Sequence, residues 1–261
     1  MRSILRIVWI DLKSFWSTWL FALLLAVSLL CVSMCTYITG EASGITKDIL
    51  IIVMGGNGAN HPYSFLAVIV SLLPMSVILL WCGGYLEIEL RKRCYFSLLR
   101  TGNIVVWAIS KTINCLLISI LYTLVLSVLI WLSKGIKPCG DRASLFLYSE
   151  LHYLTSTPVI YILLFFIARI ATILLIQLFT MLTFANSKIS AASVLLYTFC
   201  CLSMPRWTIY LPVGSTMLVQ ESAFGSAYIH MFVASSIYIL FFAAAILLVS
   251  RRKTFLSKIS L

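Results

Sequence analysis

Pro158-Val-Ile-Tyr-Ile-Leu-Leu-Phe-Phe-Ile-Ala-Arg169-Ile-Ala-Thr172-Ile-Leu-Leu-Ile-Gln177-Leu-Phe-Thr180-Met-Leu-Thr183-Phe184 holds a single formal charge in 27 residues. As a helix rising 1.5 Å per residue it would extend about 40 Å, more than the hydrocarbon core of a bilayer, about 30 Å, requires. Five further apolar runs flank it, from Leu20 to Tyr37, Phe65 to Leu86, Ile113 to Leu132, Ile189 to Met204 and Ile229 to Ser250. The fold class that follows is an all-α membrane protein with six transmembrane helices in a single domain over residues 1–261. The run from Ile189 to Met204 is the shortest, about 24 Å as a helix, and is expected to stop below the outer surface.

Composition agrees. Of the 261 residues, 62% are hydrophobic and 10% charged, against about 45 to 50% and about 25% in a soluble domain. The net charge of +11 does not point to nucleic acid, because the basic residues sit in short segments beside the apolar runs, as positive-inside topology leaves them. With both termini cytoplasmic, the inner segments hold Arg2, Arg6, Lys13, Arg91, Lys92, Arg93, Arg100, Lys111, Lys188, Arg251, Arg252, Lys253 and Lys258. The outer ones hold Lys47, Lys134, Lys137, Arg142 and Arg206, an asymmetry of 13 to 5. Arg2, Arg6 and Lys13 precede the first run, which is too long for a cleaved signal and is followed by no small-x-small site.

The connecting segments have their own character. In residues 1–14, Ile4, Leu5, Val8 and Leu12 share one helical stripe and Arg2, Arg6 and Lys13 another, the pattern of a helix lying in the inner interface. Residues 143–155 are expected on the outer face. Residues 205–228 include Trp207, Tyr210, Leu211, Val213 and Leu218, too apolar for a solvated tether. Pro205, Pro212 and Gly214 break them too often to span, so a re-entrant outer segment is expected.

The chain carries no catalytic set. Gly55-Gly56-Asn57-Gly58 lacks the Lys-Ser/Thr ending of a phosphate loop and reads as a turn. Ser215 and His230 do not have the helix-start placement an intramembrane protease needs. His61, His152 and His230, with Glu150, have no metal-ligand spacing. The cysteines fall mostly in apolar runs and read as small packing residues.

Arg169 lies about 16 Å into its run, near mid-bilayer, where an arginine costs about 2.5 to 3.5 kcal/mol on insertion scales. Thr172, Thr180, Thr183 and Ser187 lie within roughly 60° of it on a helical wheel. Two readings stand: this stripe lines a translocation path, or Arg169 bonds loose backbone carbonyls near a kink. Ser190, Ser193, Tyr197 and Cys201 share a face whose small residues permit close helix contact, either across a dimer interface or within the chain.

The layout resembles the permease subunit of an ABC-2 type exporter. The residues that carry the resemblance are the inner-face helix, the six spans, the stretch Glu87-Ile-Glu-Leu-Arg-Lys-Arg-Cys-Tyr-Phe-Ser-Leu-Leu-Arg100-Thr-Gly-Asn103 and the broken segment before the last span. The resemblance implies that residues 87–103 form a coupling segment seated on a cytoplasmic ABC ATPase subunit, with Glu87, Glu89, Arg91, Lys92, Arg93, Tyr95, Phe96, Leu98 and Arg100 as its contacts. It further implies a second permease subunit, no cofactor in this chain, ATP and Mg on the ATPase, and a prokaryotic plasma membrane. The same segment also suits a lipid anchor, and a non-transporting sensor or scaffold is the alternative function; an ion-coupled carrier is disfavoured because no Asp or Glu lies mid-membrane.

The charge asymmetry predicts the outcome of thiol labelling in a background free of other reactive cysteines. Cysteines at positions 47, 142 and 221 are expected to react with an impermeant reagent outside intact cells, and those at 92, 188 and 253 only after the membrane is opened. Outside labelling at position 92 would invert or discard the topology.

Overall fold

The computed structural model describes residues 2–39, 46–54, 65–89, 104–136, 159–184, 186–204, 207, 210–217 and 228–250. Among them all regular structure is helical: α1 (Arg2–Phe15), α2 (Thr18–Thr39), α3 (Thr46–Met54), α4 (Phe65–Ile88), α5 (Ile104–Ile136), α6 (Val159–Phe184), α7 (Ser187–Ser203), a 3₁₀ turn (Gly214–Thr216) and α8 (Tyr228–Ser250). Five helices, α2, α4, α5, α6 and α8, are long and apolar enough to cross a membrane. The expected fifth of six spans is α7, whose 17 residues extend about 26 Å, short of the core thickness.

Residue chemistry fixes where these helices begin. Ser17 caps α2 by accepting from the Leu20 amide at 3.2 Å, and Asn186 caps α7 by accepting from the amides of Lys188 and Ile189 at 3.0 and 3.3 Å. Such caps satisfy amides that have no carbonyl partner one turn back. The helix α5 begins at Ile104, directly after Gly102-Asn103 in the sequence, nine residues before the start of the apolar run from Ile113.

Helices α4 and α6 form the interior. Over half of each span is buried, 56% in both, against 11% for α8, so α8 lies at the periphery with Val233, Ile237, Leu240, Phe241 and Leu248 exposed. The helix α6 packs on α8, α5, α7, α4 and α3, and α4 packs on α7, α2, α3 and α6. With few hydrophobic gains available between helices in lipid, such contacts rest on close packing and interhelical hydrogen bonds.

The interior of α4 contains Pro74. Proline has no amide hydrogen, so the carbonyl one turn earlier, on Val70, loses its usual donor. Cys31 Sγ of α2 donates to that carbonyl at 3.8 Å. Two further carbonyls of α4 receive side-chain donors from neighbours: Pro74 from Tyr122 Oη at 2.5 Å and Leu79 from Gln177 Nε2 at 2.7 Å. Bonds from α2, α5 and α6 thus converge on one helix.

The short helix α3 lies where the apolar pattern of the sequence predicts only a connecting segment. Nine residues are too few for a stable isolated helix, yet Ile49, Val53 and Met54 are wholly buried. Ser71 Oγ donates to the Ile52 carbonyl at 2.9 Å, which supplies one of the donors that the last turn lacks.

At Gly83 a β-carbon would stand 3.0 Å from Gln177 Nε2 and 3.6 Å from Ala191 Cβ, whereas at Gly84 it would meet nothing within 4 Å. The two glycines therefore differ in kind. Gly84→Ala is expected to stabilise by about 0.5–1 kcal/mol through helix propensity, and Gly83→Leu to destabilise by about 1–3 kcal/mol through overpacking. Thermal unfolding of the solubilised protein measures both; equal effects at the two positions would contradict the α4–α6–α7 contact.

Candidate functional site

Three helices bring charge together at one buried point. Lys111 lies on α5, and its ammonium donates to Asp11 Oδ2 of α1 at 2.7 Å and to Glu89 Oε1, just past α4, at 2.9 Å. Asn114, one turn further along α5, donates from Nδ2 to the same Asp11 oxygen at 2.5 Å. Lys111 is 1% exposed, Glu89 and Asn114 are 2% exposed, and Asp11 is 3% exposed. A lone ammonium at such a site would lose its hydration without return, and it is the two carboxylates that make the burial tolerable. The rings of Tyr85 and Trp107 lie 5.8 and 5.9 Å from the ammonium, within cation–π range. Glu89 Oε2 and Asn114 Oδ1 accept no hydrogen bond among the described residues.

This cluster locks α1 against the spans. The lock is reinforced by Trp81 Nε1, which donates at 3.0 Å to the carbonyl of Phe15, the last residue of α1, and by an edge-to-face contact of Phe15 with Tyr85 at 5.7 Å. Asp11 and Phe15 lie one helical turn apart in the last part of α1, so the end of α1 that leads into α2 is held.

Of the coupling residues expected from sequence, Glu87 and Glu89 are described, and Arg91, Lys92, Arg93, Tyr95, Phe96, Leu98 and Arg100 lie outside the described residues. Glu89 turns inward to Lys111. Glu87 is half-buried and its Oε2 accepts from Ser187 Oγ at the start of α7, so the end of α4 is tied to α5 by one carboxylate and to α7 by the other.

Arg169 is fully buried. Its Nη1 donates to the Met54 carbonyl at 3.0 Å, its Nη2 to the Thr216 carbonyl at 2.8 Å, and its Nε to Thr216 Oγ1 at 3.3 Å. The guanidinium fork thus joins the end of α3 to the 3₁₀ turn. Thr172 is buried and donates to the Ala168 carbonyl at 2.7 Å; Thr183 donates to the Thr180 carbonyl at 2.8 Å. Thr180 meets Ser190 Oγ at 2.6 Å, a bond between α6 and α7.

Ser190 and Cys201 are buried within this one chain, Tyr197 is half-buried and Ser193 is exposed. Ser190 also donates to the Gln177 carbonyl at 3.0 Å. The small face of α7 therefore serves packing inside the chain at Ser190 and Cys201, and leaves Ser193 and part of Tyr197 accessible.

Sequence reasoning missed Asp11, Lys111, Asn114 and Gln177. A signal was present at Asp11, which sits on the helical stripe of Ile4, Val8 and Phe15, where an acid needs a partner. Another was Lys111 itself: assigned to the cytoplasmic segment, it lies in the eighth position of a helix that is apolar on all sides.

Comparison with models of protein families, with curated proteins and with solved structures gives no match for this chain.

Removing Lys111 leaves two buried carboxylates facing each other. Lys111→Met is expected to destabilise the solubilised protein by about 3–5 kcal/mol, and the triple variant Lys111→Met, Asp11→Asn, Glu89→Gln to recover most of that loss. Thermal unfolding in detergent measures both, and an unaltered single variant would show that the cluster contributes no stability.

Proposed function

We propose that the chain is the membrane-spanning permease subunit of an ATP-driven exporter of the ABC-2 type. Six crossings with both termini cytoplasmic make α7 the short fifth span, and two copies of this or a similar chain form the path. Separate ATPase subunits bind ATP and Mg²⁺, in a prokaryotic plasma membrane. The cargo is amphipathic, lipid-like or a peptide, a reading that leans on the family's layout.

The observation that supports this reading is the Asp11–Lys111–Glu89 cluster. Residues 87–103 begin with side chains bonded to α5 and α7, and through Lys111 linked to α1, so a push on that segment reaches several helices together instead of only its own ends. An ATPase-driven element needs such an attachment. ATP binding would draw the partner subunits together, tilt residues 87–103 and, through Glu87 and Glu89, shift the inner ends of α4, α5 and α7 toward outward access.

One observation favours the alternative, a non-transporting sensor or scaffold. Arg169 and Thr172 have no exposed surface, and among the described residues they donate to the Met54, Thr216 and Ala168 carbonyls and to Thr216 Oγ1. A path along α6 therefore requires a second conformation or a second subunit.

The two readings separate at Tyr95 and Phe96. A coupling element inserts such side chains into a groove of a protein partner, where truncating an anchor costs about 2 kcal/mol or more of association. Tyr95→Ala with Phe96→Ala is expected to insert normally while losing the copurifying ATPase subunit or its transport-coupled hydrolysis. A double variant that keeps both supports the scaffold.

A further inference from the structure

We propose that the outward face of α1 is a docking surface for anionic phospholipid headgroups. Asp11 is the only acidic residue of α1, and the cluster with Lys111 at 2.7 Å removes it from that face. What remains outward is Arg6 and Lys13, both exposed. They are seven residues apart, so they fall on one line two turns and about 10 Å apart along the helix.

Apolar side chains flank this basic line. Leu5 and Trp9, 61% and 71% exposed, lie on one side and Ile10, 45% exposed, on the other. A shallow depression of about 580 Å³ is lined by Trp9, Ile10, Lys13 and Ser14. An anionic headgroup fits this pattern: Arg6 and Lys13 bracket the phosphate region while the glycerol and upper acyl carbons lie against Trp9 and Ile10. A zwitterionic headgroup gains less, because its own ammonium opposes the two cations.

The face is held in place. The Trp81 bond to the Phe15 carbonyl and the Asp11 bonds fix the rotation of α1, which sets it apart from a free amphipathic helix averaging over the surface. Trp19, 80% exposed at the start of α2, adds an indole of the kind that settles at headgroup level. Lipid recruitment by α1 needs only the spans and this helix, and it holds independently of any ATPase partner.

The test uses the full-length protein in mild detergent, with phosphatidylglycerol and phosphatidylcholine as probes. Native mass spectrometry counts retained lipid, and thermal unfolding records the shift that each lipid produces. Wild type is expected to retain phosphatidylglycerol in preference and to be stabilised by it more than by phosphatidylcholine. Arg6→Gln with Lys13→Gln, at exposed positions, is expected to unfold as wild type does without lipid but to need on the order of tenfold more phosphatidylglycerol for half the shift. The charge-keeping pair Arg6→Lys with Lys13→Arg is expected to restore it. Equal retention and equal shifts in the glutamine variant would overturn the proposal, as would a wild type that does not distinguish the two lipids.

Discussion

Lys111 places a buried ammonium inside a mostly apolar helix of 33 residues, and much of the arrangement at that end of the bundle follows from how its charge is met. One carboxylate would balance the charge; the second occupies another of the ammonium's three donors. The carboxylates of Asp11 and Glu89 come from two different elements, so the full set of bonds forms only when α1, α4 and α5 are all in place. Buried ion clusters of this kind add little net stability over an apolar substitute, but breaking one partner is costly. Here the penalty for misplacement makes the position of α1 specific. That position aligns the Phe15 carbonyl with Trp81 and clears the outward face of α1 of negative charge.

A second constraint acts throughout the spans, because hydrocarbon offers no water to a loose amide or carbonyl. At several interruptions of the helical ladder among the described residues, a side chain from another helix makes up the bond. Cys31 does so at Val70 beside Pro74, and Arg169 does so at Met54 and Thr216. Ser71 meets Ile52, at the end of a helix too short to persist alone. The irregular elements, α3 and the 3₁₀ turn, are therefore held by polar side chains buried on α4 and α6. Arg169, whose depth in the sequence is compatible with a path and with a brace, makes such bonds here.

The local rules carried the spans far. A run of about 20 apolar residues can only be stable as a helix in lipid, and the helices α2, α4, α6 and α8 begin and end within two residues of the runs from Leu20, Phe65, Pro158 and Ile229. The same rule failed at α3, where Ile49 to Met54 were too few to register as a span and only packing against α4, α5 and α6 makes them helical. It also shortened α5, because Lys111 reads as a boundary charge when its partners are unseen.

From the sequence alone, then, come the membrane class, the places of the apolar helices and the amphipathic character of residues 1–14, since each depends on composition and spacing within one segment. Which charged residues face inward could not be read there. Asp11 and Lys111 are 100 positions apart, as are Glu87 and Ser187, and periodicity reports only the face a residue occupies on its own helix. Whether that face meets lipid, water or a countercharge is decided by the neighbouring helix, and only the tertiary structure brings that neighbour within bonding distance.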